Sequence, residues 1–206
     1  AEFQRLAEGV EDKLTGTIKI AAPPGVAAEQ LAPFAGKLAA LEPGLQLEVL
    51  SAVEHVDLSR GYADLAIRSQ PPNEPELQCL HEAVAKPGVY AAKSYAEKIK
   101  QPCRWQDLDW VCWGGQHKHL APRSLLERVI PNFQPVFASD DYIVQKAAAA
   151  SGVGALITNA PLGFESIELV KIDVGLELPE EEISEEEQAR NTFNNVVDAF
   201  AVNISI

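Results

Sequence analysis

A chain of 206 residues with 47% hydrophobic content can bury a sizeable core, as one or two domains. Its net charge of −13, from 30 acids against 17 Lys and Arg, disfavours nucleic-acid phosphates and acidic membranes as direct partners, because binding those needs clustered cations. No apolar run approaches the ~20 residues needed to cross a bilayer, no basic-then-apolar leader opens the chain, and three irregularly spaced cysteines (Cys79, Cys103, Cys112) suit a reducing cytoplasm better than a disulfide framework.

In chain order, Phe3, Leu6, Ala7 and Val10 share one helical face, and this short piece reads as the end of a longer helix. The sequence has no methionine, not even at its start, which points to a fragment or a processed product. "GTIKIAA" (16–22) alternates and is rich in β-formers, so it predicts a strand; "PPGV" (23–26) predicts a loop. Leu31, Phe34, Leu38 and Leu41 recur at helical spacing from about Ala27, and "EPG" (42–44) ends that helix. "LQLEVL" (45–50) is a second strand, "HVDLSRG" (55–61) a short helix ending on a glycine, and "ADLAI" (63–67) a third strand with an apolar centre.

The alternation then restarts. Strands are predicted at 88–92, 109–113, 134–138 and 153–157, and helices at 94–99, 122–130 and 139–152. Ser139 or Asp140 is the expected N-cap of the last of these, and Gly152 its stop. Alternation of this kind predicts two α/β units with parallel sheets and right-handed crossovers, joined by the stretch 77–88. The glutamate-rich run "PEEEISEEE" (179–187) has no counter-ion and reads as a solvated connection. Phe193, Val196, Val197, Phe200 and Ala201 then space a final helix, expected to return to the first unit.

The ordered set "LTGTIKIAAP" (14–23), "LAPF" (31–34), "EPGLQLEV" (42–49), "DL" (57–58) and "GYADLAIR" (61–68) resembles the effector-binding domain of LysR-type transcriptional regulators. "VYAAKSY" (89–95), "SDD" (139–141) and "AAAASGVGAL" (147–156) agree with it, so the resemblance covers about residues 10–178. It implies an α/β fold of two Rossmann-like lobes with a cleft between them, like the type 2 periplasmic binding proteins. Lobe I would comprise 14–86 and 180–206, lobe II 87–179, and 1–13 would end a linker helix. It also implies a cytoplasmic homodimer or homotetramer that regulates transcription, touching DNA only through a winged helix-turn-helix preceding residue 1. It implies no enzyme activity and no cofactor. Where the family has a further strand, this sequence has the acidic run. A stand-alone solute-binding protein of the same fold is the alternative. An enzyme on that fold is a third reading without a supporting motif.

Ligands of open parallel sheets sit beyond the carboxyl ends of the strands. That geometry nominates Pro23, Pro24, Gly25 and Val26 after the first strand, Ser51 and Ala52 after the second, and Arg68 after the third. In the second lobe it nominates Gly114 and Gly115, Ser139 and Asp140, and Asn159 with Ala160. Each also has a plain reading as a loop or cap. The resemblance implies a small-molecule effector; a guanidinium at Arg68 can clasp a carboxylate through two hydrogen bonds, or pair with an acidic neighbour, which makes a carboxylate one candidate. Backbone N–H groups at the helix start after Pro23 can hold an anion. Asp64 is expected to cap local backbone. "CWGGQHKH" (112–119) holds Cys112, His117 and His119, but its spacing matches no zinc motif.

Overall fold

A computed structural model describes residues 14–53, 61–68, 77, 80, 87–159 and 169–175. They fall into two compact units, one ending at Ile67 and the other starting at Arg68. The expected helices at 1–12, 55–61 and 189–204, the acidic run 179–187, Ala160 and Cys79 lie wholly or largely outside the described residues.

The first unit is built on β1 (Gly16–Ala22), β2 (Leu45–Ser51) and the two-residue β3 (Leu65–Ala66). They lie in the order β2-β1-β3, all parallel, with Ala22 level with Ser51 and Ala21 level with Ala66. Parallel neighbours need a crossover, and α1 supplies the one from β1 to β2. It runs through three consecutive helical pieces, Pro24–Val26, Ala27–Leu31 and Ala32–Leu41. The helix therefore starts at Pro24, where the sequence predicted a loop. Proline suits a first helical turn, since its missing N–H would have had no partner there. The middle piece is a wider turn in which the Ala32 N–H reaches the Ala27 carbonyl, five residues back. Ile20, Ala22 and Ile67 from the sheet pack on Ala27 and Leu31 from the helix. Leu38 is buried as its spacing predicts, whereas Leu41, at the last turn, is 76% exposed.

Asp64, expected to cap local backbone, does bond backbone, but that of Lys19 on the neighbouring strand β1. Its Oδ2 accepts the Lys19 N–H at 2.8 Å, and its own N–H donates to the Lys19 carbonyl at 2.8 Å. The carboxylate thus extends the β1–β3 ladder by one residue.

In the second unit β4 (Pro87–Ala92) lies between β7 (Leu156–Asn159) and β8 (Leu169–Lys171) and is antiparallel to both. Here the expectation of parallel pairing throughout fails. The apolar run of β4 reads the same in either direction, so nothing in the local pattern fixes its orientation. β5 (Val111–Trp113) pairs in parallel with β6 (Phe137–Ser139), and a parallel bridge from Trp110 to Ala155 sets β5 beside β7. Successive strand residues enter opposite clusters: Val89, Cys112 and Ile157 join one, Tyr90, Val111 and Leu156 the other. Both faces of this sheet are therefore covered. On the first face Trp110 stacks at 5.6 Å on Trp105 and donates its indole N–H to the Trp105 carbonyl at 2.8 Å. A single-turn helix, α2 (Lys93–Ala96), follows β4, and α3 (Arg123–Val129) lies between β5 and β6.

The helix α4 (Tyr142–Ala150) packs with the second cluster through Ala148 and Ala149. Its N-cap is Asp141, not Ser139 or Asp140. Asp141 Oδ1 accepts the N–H groups of Ile143 at 2.7 Å and Val144 at 3.3 Å. Gly152, at φ +85°, ends the helix as its sequence suggested. Gly154 has another reason to be glycine, because a Cβ there would collide with the Asp109 carbonyl where β7 meets the start of β5.

Two measurements follow from these contacts. Asp141→Ala should cost about 1 kcal/mol and lower the melting temperature by ~2–4 °C, while Asp141→Asn, which keeps an acceptor, should restore most of it. Burial pushes the Cys103 thiol up and the Cys112 thiol up to about 12, so neither forms appreciable thiolate near neutrality. A Cys79→Ser variant should accordingly resist iodoacetamide at about pH 8 while folded, and label at both remaining cysteines in denaturant.

Candidate functional site

The parallel ladder of the first unit brings three strand ends to one edge. The Ala52 N–H donates to the Ala22 carbonyl at 3.1 Å, and the Ile67 N–H to the Ala21 carbonyl at 2.9 Å. Ala22–Pro23, Ser51–Ala52 and Ile67 are thus side by side, and Arg68 is the next residue of the chain. Arg68 is half-buried and its Nε is shielded from solvent. Pro24, Gly25, Val26 and Ala52 are half-buried, and Ser51 is exposed. The first N–H to bond within α1 is that of Ala27, to the Pro23 carbonyl at 2.9 Å. Pro24 has none to offer, so the N–H groups of Gly25 and Val26 are the donors that the helix start leaves without an intrahelical acceptor.

One residue at this end of the helix escaped the sequence reading. Gln30 is only 6% exposed, and its Oε1 is buried without a hydrogen-bond partner among the described residues. Leaving such an acceptor unsatisfied costs ~1–3 kcal/mol. The signal was present in the spacing. Gln30 stands three residues after Ala27 and four before Phe34, both buried, so it is an amide on an apolar stripe.

In the second unit β5, β6 and β7 run the same way, so Gly114, Ser139 and Asn159 come to one edge of that sheet. The Gly114 N–H donates to the Ser139 carbonyl at 2.8 Å. A Cβ on Gly114 would approach Ala138 and the Ser139 nitrogen at 3.2 Å, so glycine allows the strands to stay this close. Ser139 is held from two more sides: its carbonyl accepts the Gln145 amide at 2.9 Å, and its Oγ accepts the Asp141 N–H at 3.1 Å. Asp140 is exposed and faces Gly115, whose φ of +53° is a left-handed turn. Asn159 is half-buried and its β7 residue Thr158 shares a 2.7 Å hydroxyl–hydroxyl hydrogen bond with Tyr142. Gln145, Tyr142 and Thr158 were not anticipated; a buried glutamine in "YIVQKAAAA" was again the available clue.

The "CWGGQHKH" stretch assembles no metal centre. Cys112 is buried in the sheet, His117 is buried edge-on to Trp113 at 5.6 Å, and His119 is exposed. Among the described residues no three His, Cys, Asp or Glu converge on a point that could hold a metal. Arg123 is spent on structure, donating to the Trp113 carbonyl at 2.9 Å and to Glu127 at 2.8 Å. No described helix is long and apolar enough to cross a membrane.

Comparison with known proteins agrees with this architecture. The regulatory domain of CrgA, a LysR-type transcriptional regulator from Neisseria meningitidis, superposes with a TM-score of 0.63 at 19% identity, over 81% of this chain and 85% of that one. The CrgA structure reaches a TM-score of 0.65 at 17% identity, over 96% and 72%. HinK, a LysR family transcriptional regulator from Pseudomonas aeruginosa, gives 0.56 at 17% identity, over 86% and 64%. Comparison with curated protein sequences returns no match. These identities speak for the fold, which is that of the type 2 periplasmic binding proteins. The family model of the LysR substrate binding domain matches residues 11–179, and the chain belongs to that family.

Proposed function

We propose that this chain is the effector-sensing part of a LysR-type transcriptional regulator and that its effector is a small carboxylate. The family assignment supports the first half, and it favours a regulator over a stand-alone solute-binding protein. The observation that carries the second is the edge of the first unit. There, two backbone N–H donors at the start of α1 follow β1, and Arg68, the first residue of the second unit, follows the neighbouring parallel strand β3 in the chain. A carboxylate suits both, through the partial positive charge of a helix start and through the two-pronged guanidinium. Pro24, Gly25, Val26, Ser51, Ala52 and Arg68 are the proposed contacts in lobe I. Gly114, Ser139, Asp140 and Asn159 are those in lobe II. Lobe I is taken as 14–86 with 180–206, and lobe II as 87–179.

The mechanism is a population shift. An effector that binds one arrangement of the regulator better than another moves the equilibrium by the ratio of its two affinities, and no further. No turnover is required, and the family is one of regulators rather than enzymes. The regulator is proposed to work in the cytoplasm as a homodimer or homotetramer. DNA contact would belong to a helix-turn-helix segment outside these 206 residues.

Thermal melting of the chain against small organic acids tests the reading. An acid at about 100 times its Kd should add ~2.7 kcal/mol, an upward shift of about 5–10 °C at this size. Arg68→Ala should abolish that shift while leaving the unliganded melting temperature within a few degrees. A full shift in Arg68→Ala would remove this arginine from the site.

A further inference from the structure

The buried amide of Gln30 is not explained by the fold. Its neighbours on the same helical stripe, Ala27, Leu31 and Phe34, are apolar and buried, and any of their kind would fill the position. Its Oε1 has no partner among the described residues. It also stands in the wide turn Ala27–Leu31, where the backbone departs from the ordinary helical bond pattern, and such turns recur at functional sites. Helical side chains lean toward the N-terminus of their helix and cover the preceding turn. By that lean Gln30 is expected to reach back over Val26 and Ala27, toward the turn that carries the N–H groups of Gly25 and Val26.

We infer that Gln30 is a specificity residue of the lobe I site, accepting a hydrogen bond from a hydroxyl or amino group that the effector carries beside its carboxylate. The carboxylate end meets the helix start, and the donor end meets the glutamine one turn deeper. The inference rests on the carboxylate reading above and adds a substituent to it. Hydroxy and amino acids satisfy both ends, whereas the same acids without the substituent leave the buried oxygen as it is. A site that hydrogen-bonds a substituent rejects the analogue lacking it far more strongly than an apolar site can.

Matched pairs of acids test this on the 206-residue chain: malate against succinate, lactate against propionate, 3-hydroxybenzoate against benzoate. Melting and titration calorimetry should find the donor-bearing member of at least one pair bound about tenfold more tightly. Gln30→Met, which keeps the length and flexibility of the side chain, should bind both members alike. Without ligand it should melt no lower than the unsubstituted chain, because an unsatisfied acceptor has been replaced by thioether. A preference retained in Gln30→Met, or equal binding within every pair by the unsubstituted chain, would overturn the role of Gln30 alone. A lower melting temperature for unliganded Gln30→Met would also overturn it, by showing the amide bonded within the fold. Absence of binding by every acid would overturn the carboxylate reading and this inference with it.

Discussion

Parallel pairing is the constraint from which the rest of this molecule follows. Two parallel strands cannot be joined by a tight turn, so the chain must cross a face of the sheet and re-enter from the same side. In the first unit this places the ends of β1, β2 and β3 at one edge, and it puts the start of α1 at that edge too. In the second unit the parallel run of β5, β6 and β7 does the same for Gly114, Ser139 and Asn159. Residues far apart in sequence therefore meet at two edges without any side chain having to draw them together. What side chains do is fix the detail. Asp64 locks β3 to β1, and Ser139 is clamped by Gly114, Asp141 and Gln145.

Much of this was legible in the sequence, for identifiable reasons. "LQLEVL" can bury one face only as a strand, and "GTIKIAA" joins β-propensity to a turn signal at each end. The family resemblance added the two-lobed fold, which periodicity alone does not give. Strand direction in the second unit was not legible, because β4 carries the same apolar alternation in either direction. β8 was missed since three residues are too short for a period to show. The N-cap of α4 slipped to Asp141 because three consecutive polar residues, Ser139, Asp140 and Asp141, all suit the role, and only the fold decides which faces the helix.

The candidate site was legible to a lesser degree. Strand-end reasoning names residues that border an edge, but it names them whether or not they face a ligand. It also favours loop residues and so passes over groups on the helix interior. Gln30 and Gln145 are of that second kind, polar side chains at positions whose neighbours are apolar. Gln145 has a job within the fold, since its amide holds the Ser139 carbonyl. No described group does the same for the Gln30 oxygen, and this contrast between two buried glutamines is what the proposed recognition role rests on.

A net charge of −13 opposes the approach of the proposed anionic effector, yet the two operate over different distances. At physiological salt a charge is screened beyond ~8 Å, so the charge of the whole chain acts on the rate of encounter more than on the bound state. Binding depends on the donors within hydrogen-bond reach. Several cations are already committed close by their own backbone. Lys19 pairs with Glu48 at 3.2 Å, Arg104 with Asp107 at 2.8 Å and Arg123 with Glu127 at 2.8 Å. Those pairs are largely local, and exposed ones contribute little to stability. On the carboxylate reading proposed above, the backbone N–H groups of Gly25 and Val26 would be donors that no neighbouring glutamate can neutralise, beside the guanidinium of Arg68.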